Sequence, residues 1–283
     1  FPFVKLSKEE IDRLMERAMK NSERWAQMKA AGISDKDIRA SFYKETPMQV
    51  FSWHGTIDTV MTPYDSIRYY KSFLRTAILS MEPQTGHIKA WVGGIDYNNF
   101  KYDQVFQGAR QVGSAFKPFV YATAIDQKHY TPCTQIPDVK TCIEANKWGN
   151  AKEWCPRNTN GSFSGKMLTL KAALANSINS ITAKLMDEVG PTNVIDLIEK
   201  LGINTKDIPA LPSICLGSGD ITLLEMVGAY GAFANEGNYL KPTFITRIED
   251  KNGRIIYQHT PEARNAISPE NAYTVIKLME GVT

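Results

Sequence analysis

The segment QVGSAFKPF, residues 111–119, contains a serine followed three positions later by a lysine. If Ser114 opens a helix, Lys117 lies one turn further along on the same face, so the two side chains can meet. A neutral lysine amine can take the proton from a serine hydroxyl and make that serine a nucleophile. Serine is also a favoured helix cap. The spacing alone therefore leaves two interpretations open, a cap and a nucleophile.

The residues around this pair favour a nucleophile. Pro118 fits best in the first turn of a helix, which fixes the helix start close to Ser114 and brings the positive end of the helix dipole to its hydroxyl. Burial would lower the pKa of Lys117 toward neutrality, and the neighbours that could bury it are Phe116, Phe119 and Val120. The pair Ser41 and Lys44 has the same spacing, but it lies in a charged helical tract without a partner motif, and we assign it no chemistry.

A second polar motif follows 63 positions later in ALANSINSITAKL, where Ser177 and Asn179 interrupt two helical patterns. Polar side chains two residues apart on a tight turn between helices can point into one cleft. Ser177 could relay a proton between Lys117 and a leaving amine, while Asn179 could hydrogen-bond an amide substrate. The alternative is a plain turn between helices, with Ser180 as the cap of the second helix.

The elements that would position these motifs are helices flanked by strands. Residues 6–48 are predicted to be helical, with Ser7 and Glu10 at capping-box spacing. Residues 76–94 alternate on both sides of a turn and predict a hairpin. Helical patterns follow at 114–127, 169–177, 180–189, 191–201 and 220–236. A second hairpin is predicted at 243–258, with Asn252 and Gly253 in a type I′ turn. This order favours an α+β or α/β fold in which remote segments share one sheet.

Composition excludes several classes of protein. The net charge of +3 over 283 residues is too mild, and its lysines and arginines too scattered, for nucleic-acid binding. No apolar run approaches the roughly 18 residues that a membrane span needs. The chain starts at Phe1 without an initiator methionine and stops within a helical pattern, so we expect both ends to be truncated.

Cysteine and histidine spacing predicts neither a metal site nor a cofactor. The four cysteines form no C-x-x-C pair, and the four histidines lack the spacing of metal ligands. Cys142 and Cys155 flank a polar loop that a disulfide would pin in an oxidising compartment. Buried free thiols are the alternative.

At these motifs the sequence resembles the penicillin-binding proteins, and in particular the transpeptidase half of the bifunctional class A enzymes of bacterial wall synthesis. The nucleophile segment ARQVGSAFKPFVYATAI is similar over its whole length, and it is followed in the expected order by WCPRN, LANSINSITAKL and LGSGDITLLEMVGAYGAFANEG. The resemblance covers residues 74–283. Residues 1–73 are expected to form a helical connector or insertion.

The resemblance implies a mixed α/β (α+β) fold of the penicillin-binding transpeptidase and serine β-lactamase type. In this fold an antiparallel sheet packs with helices beside an all-helical subdomain, and the C-terminal strands are expected to be missing from this chain. The implied reaction is the D,D-transpeptidase reaction, in which a D-alanyl-D-alanine stem peptide acylates a serine, D-alanine leaves, and an amine of a neighbouring strand resolves the acyl-enzyme. β-Lactams mimic the dipeptide and would acylate the same serine.

The resemblance also implies roles for individual residues. Ser114 would be the acylated nucleophile, Lys117 its general base, Ser177 the proton relay and Asn179 a contact to the substrate amide. In the segment WCPRN, the side chains that would line the cleft are Trp154 and Asn158, for which a structural role in the loop is the alternative.

One element of the resembled pattern is absent. The third motif, Lys-Thr/Ser-Gly on a late strand, does not occur; the triplets that begin at Lys147 and Lys251 lie in the wrong order or on a turn, and we reject both. The motif is expected after Thr283, so residues 1–283 alone are expected to be poorly stable and unable to acylate. An N-terminal glycosyltransferase domain and a membrane anchor are expected in the full protein.

The resemblance implies a location at the extracytoplasmic, periplasmic face of the inner membrane, where wall cross-linking takes place. We therefore expect a disulfide between Cys142 and Cys155, with Cys215 buried and reduced.

Two other functions fit the same motifs. A serine β-lactamase or β-lactam sensor shares the serine and lysine chemistry, and an inactive scaffold domain of this fold would fit the missing third motif.

Overall fold

The computed structural model describes residues 6–282, and the chain divides into two compact units, of which the first ends at Arg75 and the second begins at Thr76. Residues 1–5 and Thr283 lie outside the described residues. The two chain ends, at which the sequence predicts truncation, therefore lie outside them as well.

The first unit contains four helices, α1 (Lys8–Lys20), α2 (Glu23–Ala30), α3 (Asp35–Ser41) and α4 (Pro63–Ser72). The predicted capping box at the start of α1 is confirmed, because the Ser7 hydroxyl accepts a hydrogen bond from the Glu10 amide while the Glu10 carboxylate accepts one from the Ser7 amide. The helical tract that the sequence predicts beyond α1 is broken where the Ser22 hydroxyl accepts the Trp25 amide and caps α2. The two helices and α3 share a small core of Met19, Trp25, Ile38 and Phe42.

The first unit also contains a β-hairpin, β1 (Thr46–Ser52) and β2 (Gly55–Met61), which is antiparallel. The prediction of helix as far as residue 48 is wrong here. Threonine and valine occur in both segments, with a phenylalanine in β1 and an isoleucine in β2, and such residues favour a strand over a helix.

The second unit begins with the predicted hairpin, which is confirmed as β3 (Ile78–Met81) paired antiparallel with β4 (Ile88–Val92). Six helices follow it, α5 (Lys117–Lys128), α6 (Leu170–Ala175), α7 (Asn179–Val189), α8 (Pro191–Lys200), α9 (Leu223–Ala234) and α10 (Pro269–Met279). Every residue from Lys117 to Ile125 is buried. A helix that is buried on all faces lies at the centre of a hydrophobic core. Helix α5 has this position in the second unit, where it packs against α7, α8 and α10.

Short strands complete the second unit: β5 (Arg110–Gln111), β6 (Gln135–Pro137), β7 (Met167–Thr169), β8 (Asp220–Ile221), β9 (Asn238–Leu240), β10 (Arg247–Glu249), β11 (Ile255–Gln258) and β12 (Ala263–Asn265). Across the two units, the strands of residues 6–282 form six two-stranded antiparallel pairs. The mixed α/β architecture with antiparallel pairing is therefore confirmed. In residues 6–282 the strands form separate pairs, and the predicted single sheet shared by remote segments is not formed.

The second predicted hairpin is confirmed as β10 paired with β11, but its predicted type I′ turn is wrong. A type I′ turn needs a positive φ at both central residues. Only Gly253 has one, at 82°, whereas Asn252 does not. The Asp250 carboxylate accepts hydrogen bonds from the amides of Asn252 and Arg254 and holds a longer loop instead.

The predicted disulfide between Cys142 and Cys155 is confirmed, with a Cα–Cα distance of 4.2 Å. Cys215 is buried and free, as predicted, and Cys133 is exposed and free. Glu153 lies close to both sulfurs of the disulfide. A disulfide sulfur is no longer the thiolate that binds metal, so this group is not a metal site.

Within residues 6–282, no helix combines the length and the apolar character that crossing a membrane requires.

Candidate active site

Ser114 lies on a 3-10 turn, Gly113–Phe116, that leads directly into α5. Its side chain caps neither element, because the cap positions are Val112 and Phe116 and neither cap has a side-chain hydrogen bond. The Ser114 hydroxyl instead forms a hydrogen bond of 3.0 Å with the hydroxyl of Ser177. The interpretation of Ser114 as a helix cap is therefore wrong.

The turn that carries Ser114 is held by a second glycine-containing turn. The Gly113 amide donates to the Gly217 carbonyl at 3.2 Å. A Cβ atom on Gly217 would lie 2.1 Å from the Gly113 carbonyl oxygen, and the φ of Gly217 is +73°. Only glycine fits this approach of two backbones, which fixes the position of the nucleophile turn.

The Lys117 side chain is 1% exposed and occupies all of its donors. Its Nζ donates to the Ser177 carbonyl oxygen at 2.6 Å, to the Ser177 hydroxyl at 2.9 Å and to Asn179 Oδ1 at 2.6 Å. In the described part of the chain, no carboxylate pairs with this ammonium group. Burial lowers the pKa of Lys117 from its ordinary value to about 8. An amine with this pKa can accept a proton near neutral pH.

Ser177 bridges Ser114 and Lys117. It lies between α6 and α7 with a φ of 52°, a left-handed conformation that is uncommon for serine. Residues in such conformations cluster at functional sites, where the surrounding structure maintains them. The predicted tight turn between two helices is therefore confirmed. No direct hydrogen bond joins Ser114 to Lys117 in residues 6–282, so Ser177 is the link between them.

Asn179 is the first residue of α7, and its side-chain amide is held from two sides. Its Oδ1 accepts from Lys117, and its Nδ2 donates to the Arg157 carbonyl at 2.8 Å. The predicted convergence of the side chains of Ser114, Lys117, Ser177 and Asn179 is confirmed. Their chemical roles stay predictions.

The two residues of the WCPRN segment lie apart from Ser114. Asn158 is 6% exposed, and its Oδ1 accepts the backbone amides of Asn179 and Ser180. Trp154 is half-buried, pairs through its backbone with Ile143 and packs against the core. These contacts favour structural roles over the predicted lining of the cleft.

A cavity of about 430 Å³ opens at Ser114. It is lined by Ser114, Lys117, Ser177 and Tyr230 together with apolar residues that include Met279 and Val282. Of the described residues, none from 241–258 lines it, and Lys251 is exposed on its hairpin. Lys147 forms an ion pair with Asp187 at 2.7 Å. These positions agree with the rejection of the triplets that begin at Lys147 and Lys251.

Three further groups at the site are not identified by the sequence motifs. The Tyr230 hydroxyl donates to the Ala115 carbonyl at 2.7 Å, and burial raises the pKa of this phenol to about 12. Cys215 lies near Lys117, and burial raises the pKa of its thiol to about 12. Asp138 is a buried carboxylate that accepts a hydrogen bond from the side-chain amide of Asn158. None of the three stands at a spacing that predicts chemistry, so the fold is needed to find them.

Two family models match the chain. Residues 1–74 match the penicillin-binding protein middle domain, and residues 76–283 match the penicillin binding protein transpeptidase domain. Penicillin-binding protein 1A of Neisseria flavescens is 35% identical over 214 residues, which cover 74% of this chain and 26% of that protein. Penicillin-binding protein 2D of Bacillus subtilis is 32% identical over 211 residues, 75% of this chain and 30% of that protein. The chain thus spans about a quarter of the length of the curated relatives that it matches.

Solved structures show the same fold. Penicillin-binding protein 1A from Haemophilus influenzae has a TM-score of 0.67 at 25% identity and covers 74% of this chain, which corresponds to 35% of that chain. PonA1 from Mycobacterium tuberculosis, at 22% identity, has a TM-score of 0.62 over 75% of this chain and 58% of that one. The second likeness is one of fold alone.

Proposed function

Because the chain belongs to the penicillin-binding protein transpeptidase family, we propose that its second unit carries the acylating site of a peptidoglycan D,D-transpeptidase. The observation that carries this proposal is the hydrogen-bonded series Ser114, Ser177, Lys117, which is buried at its lysine end and opens into a cavity at its serine end. The substrate is a D-alanyl-D-alanine stem peptide, and β-lactams occupy its place.

In the first half-reaction, the Ser114 oxygen attacks the carbonyl carbon between the two D-alanines. The proton of its hydroxyl passes to Ser177, whose own proton passes to neutral Lys117. Both hydroxyls can rotate, so the series can carry a proton in either direction. The proton then returns through Ser177 to the nitrogen of the departing D-alanine. In the second half-reaction, an amine from a neighbouring strand attacks the ester carbon of the acyl-enzyme and gives up a proton to the same series. The ester bond to Ser114 breaks, and the proton returns to the Ser114 oxygen, which restores its hydroxyl.

The location of the whole protein is also a proposal. The Cys142–Cys155 disulfide supports a location outside the cytoplasm, because structural disulfides persist in oxidising compartments. We place the domain at the periplasmic face of the inner membrane. A membrane anchor and a glycosyltransferase domain belong to the remaining length of the full protein, in which residues 1–73 act as a connector.

The lifetime of the acyl-enzyme tests the reaction type. We expect the full-length protein to bind one fluorescent penicillin per active site. The protein should retain this label for much longer than a β-lactamase needs to hydrolyse its own acyl-enzyme. The acyl-enzyme of a transpeptidase reacts with an amine and excludes water from its ester, so the label is hydrolysed slowly. Gel fluorescence after removal of free penicillin measures the retained label. Label lost within seconds would identify a β-lactamase, and absence of label would identify an inactive scaffold.

The acylation rate should depend on pH through Lys117. The amine is a base only when neutral, so activity is present above its pKa of about 8 and is lost as the pH falls through that value. Below this pKa the neutral fraction changes about tenfold per pH unit, so the rate constant should rise about tenfold from roughly pH 6 to pH 7. Rapid-quench measurement of penicillin labelling between roughly pH 6 and pH 9, the range around the pKa of about 8, gives the midpoint. A flat profile would exclude Lys117 as the base.

A further inference from the structure

Helix α7 starts at Asn179, and its cap residue Ile178 provides no side-chain hydrogen bond. The first amides of a helix need acceptors, which usually come from the residue before the helix. Here the acceptor comes from a distant segment. Asn158 Oδ1 accepts the amide of Asn179 at 2.9 Å and the amide of Ser180 at 3.1 Å.

The orientation of the Asn158 amide is set by Asp138. Asn158 Nδ2 donates to Asp138 Oδ1 at 2.8 Å and to the Ser162 carbonyl at 3.1 Å, which leaves Oδ1 facing α7. If the amide flipped, its NH₂ would face the two helix amides, donor against donor. An acceptor at Asp138 therefore selects the orientation that caps α7.

Asp138 is itself held as a buried carboxylate, 3% exposed. It accepts the Ser180 hydroxyl at 2.6 Å and the Ser164 amide at 2.8 Å in addition to Asn158. Burial alone would raise the pKa of Asp138, but the hydrogen bonds from Ser180, Ser164 and Asn158 outweigh it and lower the pKa to about 2. The group is thus an anion at the positive end of α7, which favours a negative charge.

We infer that Asp138 and Asn158 form a clamp that positions Asn179 against Lys117 and so sets the rate of acylation without touching the substrate. The clamp holds α7 at Asn179, two positions after Ser177. The Oδ1 atom of Asn179 accepts a hydrogen bond from Lys117 Nζ at 2.6 Å. Neither clamp residue lines the cavity at Ser114. Both are positioning residues, and this inference rests on the proposed function.

Replacing Asp138 by asparagine keeps the size of the side chain but turns one of its two oxygens into a donor. The new NH₂ must face the Ser164 amide or the Asn158 amide, and a buried donor facing a donor is costly. The clamp would loosen, Asn179 would shift from Lys117, and the ammonium form of Lys117 would lose an acceptor. A displacement of about 1 Å can cost about 10²-fold in rate, so we expect a 10- to 100-fold slower acylation.

The pH midpoint of acylation separates positioning from a general loss of stability. Loss of the Asn179 acceptor disfavours the charged form of Lys117, so the midpoint should move below that of the unchanged protein. The other titratable groups at the site are the Cys215 thiol, on the 3-10 turn Pro212–Leu216, and the Tyr230 phenol on α9. Both have a pKa of about 12 and stay neutral in this range.

The experiment compares fluorescent-penicillin labelling of the full-length protein with that of the Asp138→Asn variant between roughly pH 6 and pH 9, the range around the expected midpoint. The labelling amplitude measures the fraction of sites that are folded, and the rate constant measures how fast each folded site is acylated. Asp126→Asn is the matched control, because Asp126 also accepts a hydrogen bond from an asparagine amide, that of Asn271 at 2.6 Å, but lies at the far end of α5. The control should keep both its rate constant and its midpoint.

A slower rate constant with a lower midpoint in Asp138→Asn supports the clamp. A reduced amplitude with an unchanged rate constant and midpoint would overturn it, since that is the result of a purely structural role. Asn158→Ala provides an independent test if Asp138→Asn does not fold, and it should slow acylation in the same way. Because Asp138 and Asn158 hold the same helix start, the double variant should lose less rate than the sum of the two single losses, whereas additive losses would contradict the clamp. Absence of labelling in the unchanged protein would instead refute the proposed function.

Discussion

Ser114→Ala should abolish covalent labelling of the full-length protein by benzylpenicillin while leaving the protein folded. The alanine lacks the hydroxyl that hydrogen-bonds to the Ser177 hydroxyl and lines the cavity. Among residues 6–282, the lost hydroxyl caps no helix and makes no other side-chain hydrogen bond, so the fold does not depend on it. Intact-protein mass spectrometry after incubation with the drug measures the adduct, and thermal unfolding verifies the fold.

Ser41→Ala is the matched control for this experiment. Ser41 also precedes a lysine by three positions, but its hydroxyl donates to the Ile38 carbonyl at 2.7 Å and accepts from Arg24 at 3.3 Å. Both contacts are local to the first unit, and the Lys44 that follows is exposed. This variant should label at the rate of the unchanged protein. Residual labelling of Ser114→Ala with the same stoichiometry would show that another residue is the nucleophile.

Lys117→Ala should slow acylation by about 10²-fold or more, the usual scale for losing a general base. Without the amine, the proton of Ser114 has no acceptor beyond Ser177. The change also leaves Asn179 Oδ1 and the Ser177 carbonyl without their buried donor, so the folded fraction must be measured from the labelling amplitude.

Lys117→Arg separates the base from the hydrogen bonds. Arginine retains donors for Ser177 and Asn179 but stays protonated at every accessible pH, so it cannot act as the base. It should lose as much rate as Lys117→Ala, whereas Lys44→Ala should lose none. If the arginine variant acylated at the full rate with the usual pH profile, the role of Lys117 would be positional only.

The sequence indicates the site well wherever chemistry and local structure demand the same residues. Ser114 and Lys117 stand one helical turn apart at a helix start, and Ser177 and Asn179 stand at a break between two helical patterns. Local geometry sets the spacing within each motif, and the packing of α5 against α7 brings the two motifs together. The disulfide loop is predicted for the same reason, since Cys142 and Cys155 bracket a short polar segment.

The features that sequence reasoning misses depend on contacts between distant segments. Asp138 follows a short strand and reaches Ser180 across 42 positions, and no spacing relates the two. The burial of Asn158 likewise depends on tertiary packing, so its capping of α7 could not be separated from a role in the cleft. The sequence does not predict the hairpin of β1 and β2, because the predicted helical tract continues past Ser41, where α3 ends.

Peptide mapping of the benzylpenicillin adduct in the full-length protein is the most direct test of the acylation site. Trypsin cleaves after Arg110 and after Lys128 but not between Lys117 and Pro118, so Ser114 is the single serine of the peptide 111–128. The Ser177 motif falls in a separate peptide, 172–184, and Ser41 in a third, 40–44. We predict that the full mass of the drug is found on 111–128 alone. An adduct on 172–184, on 40–44 or on any other peptide would contradict the assignment of Ser114 as the nucleophile.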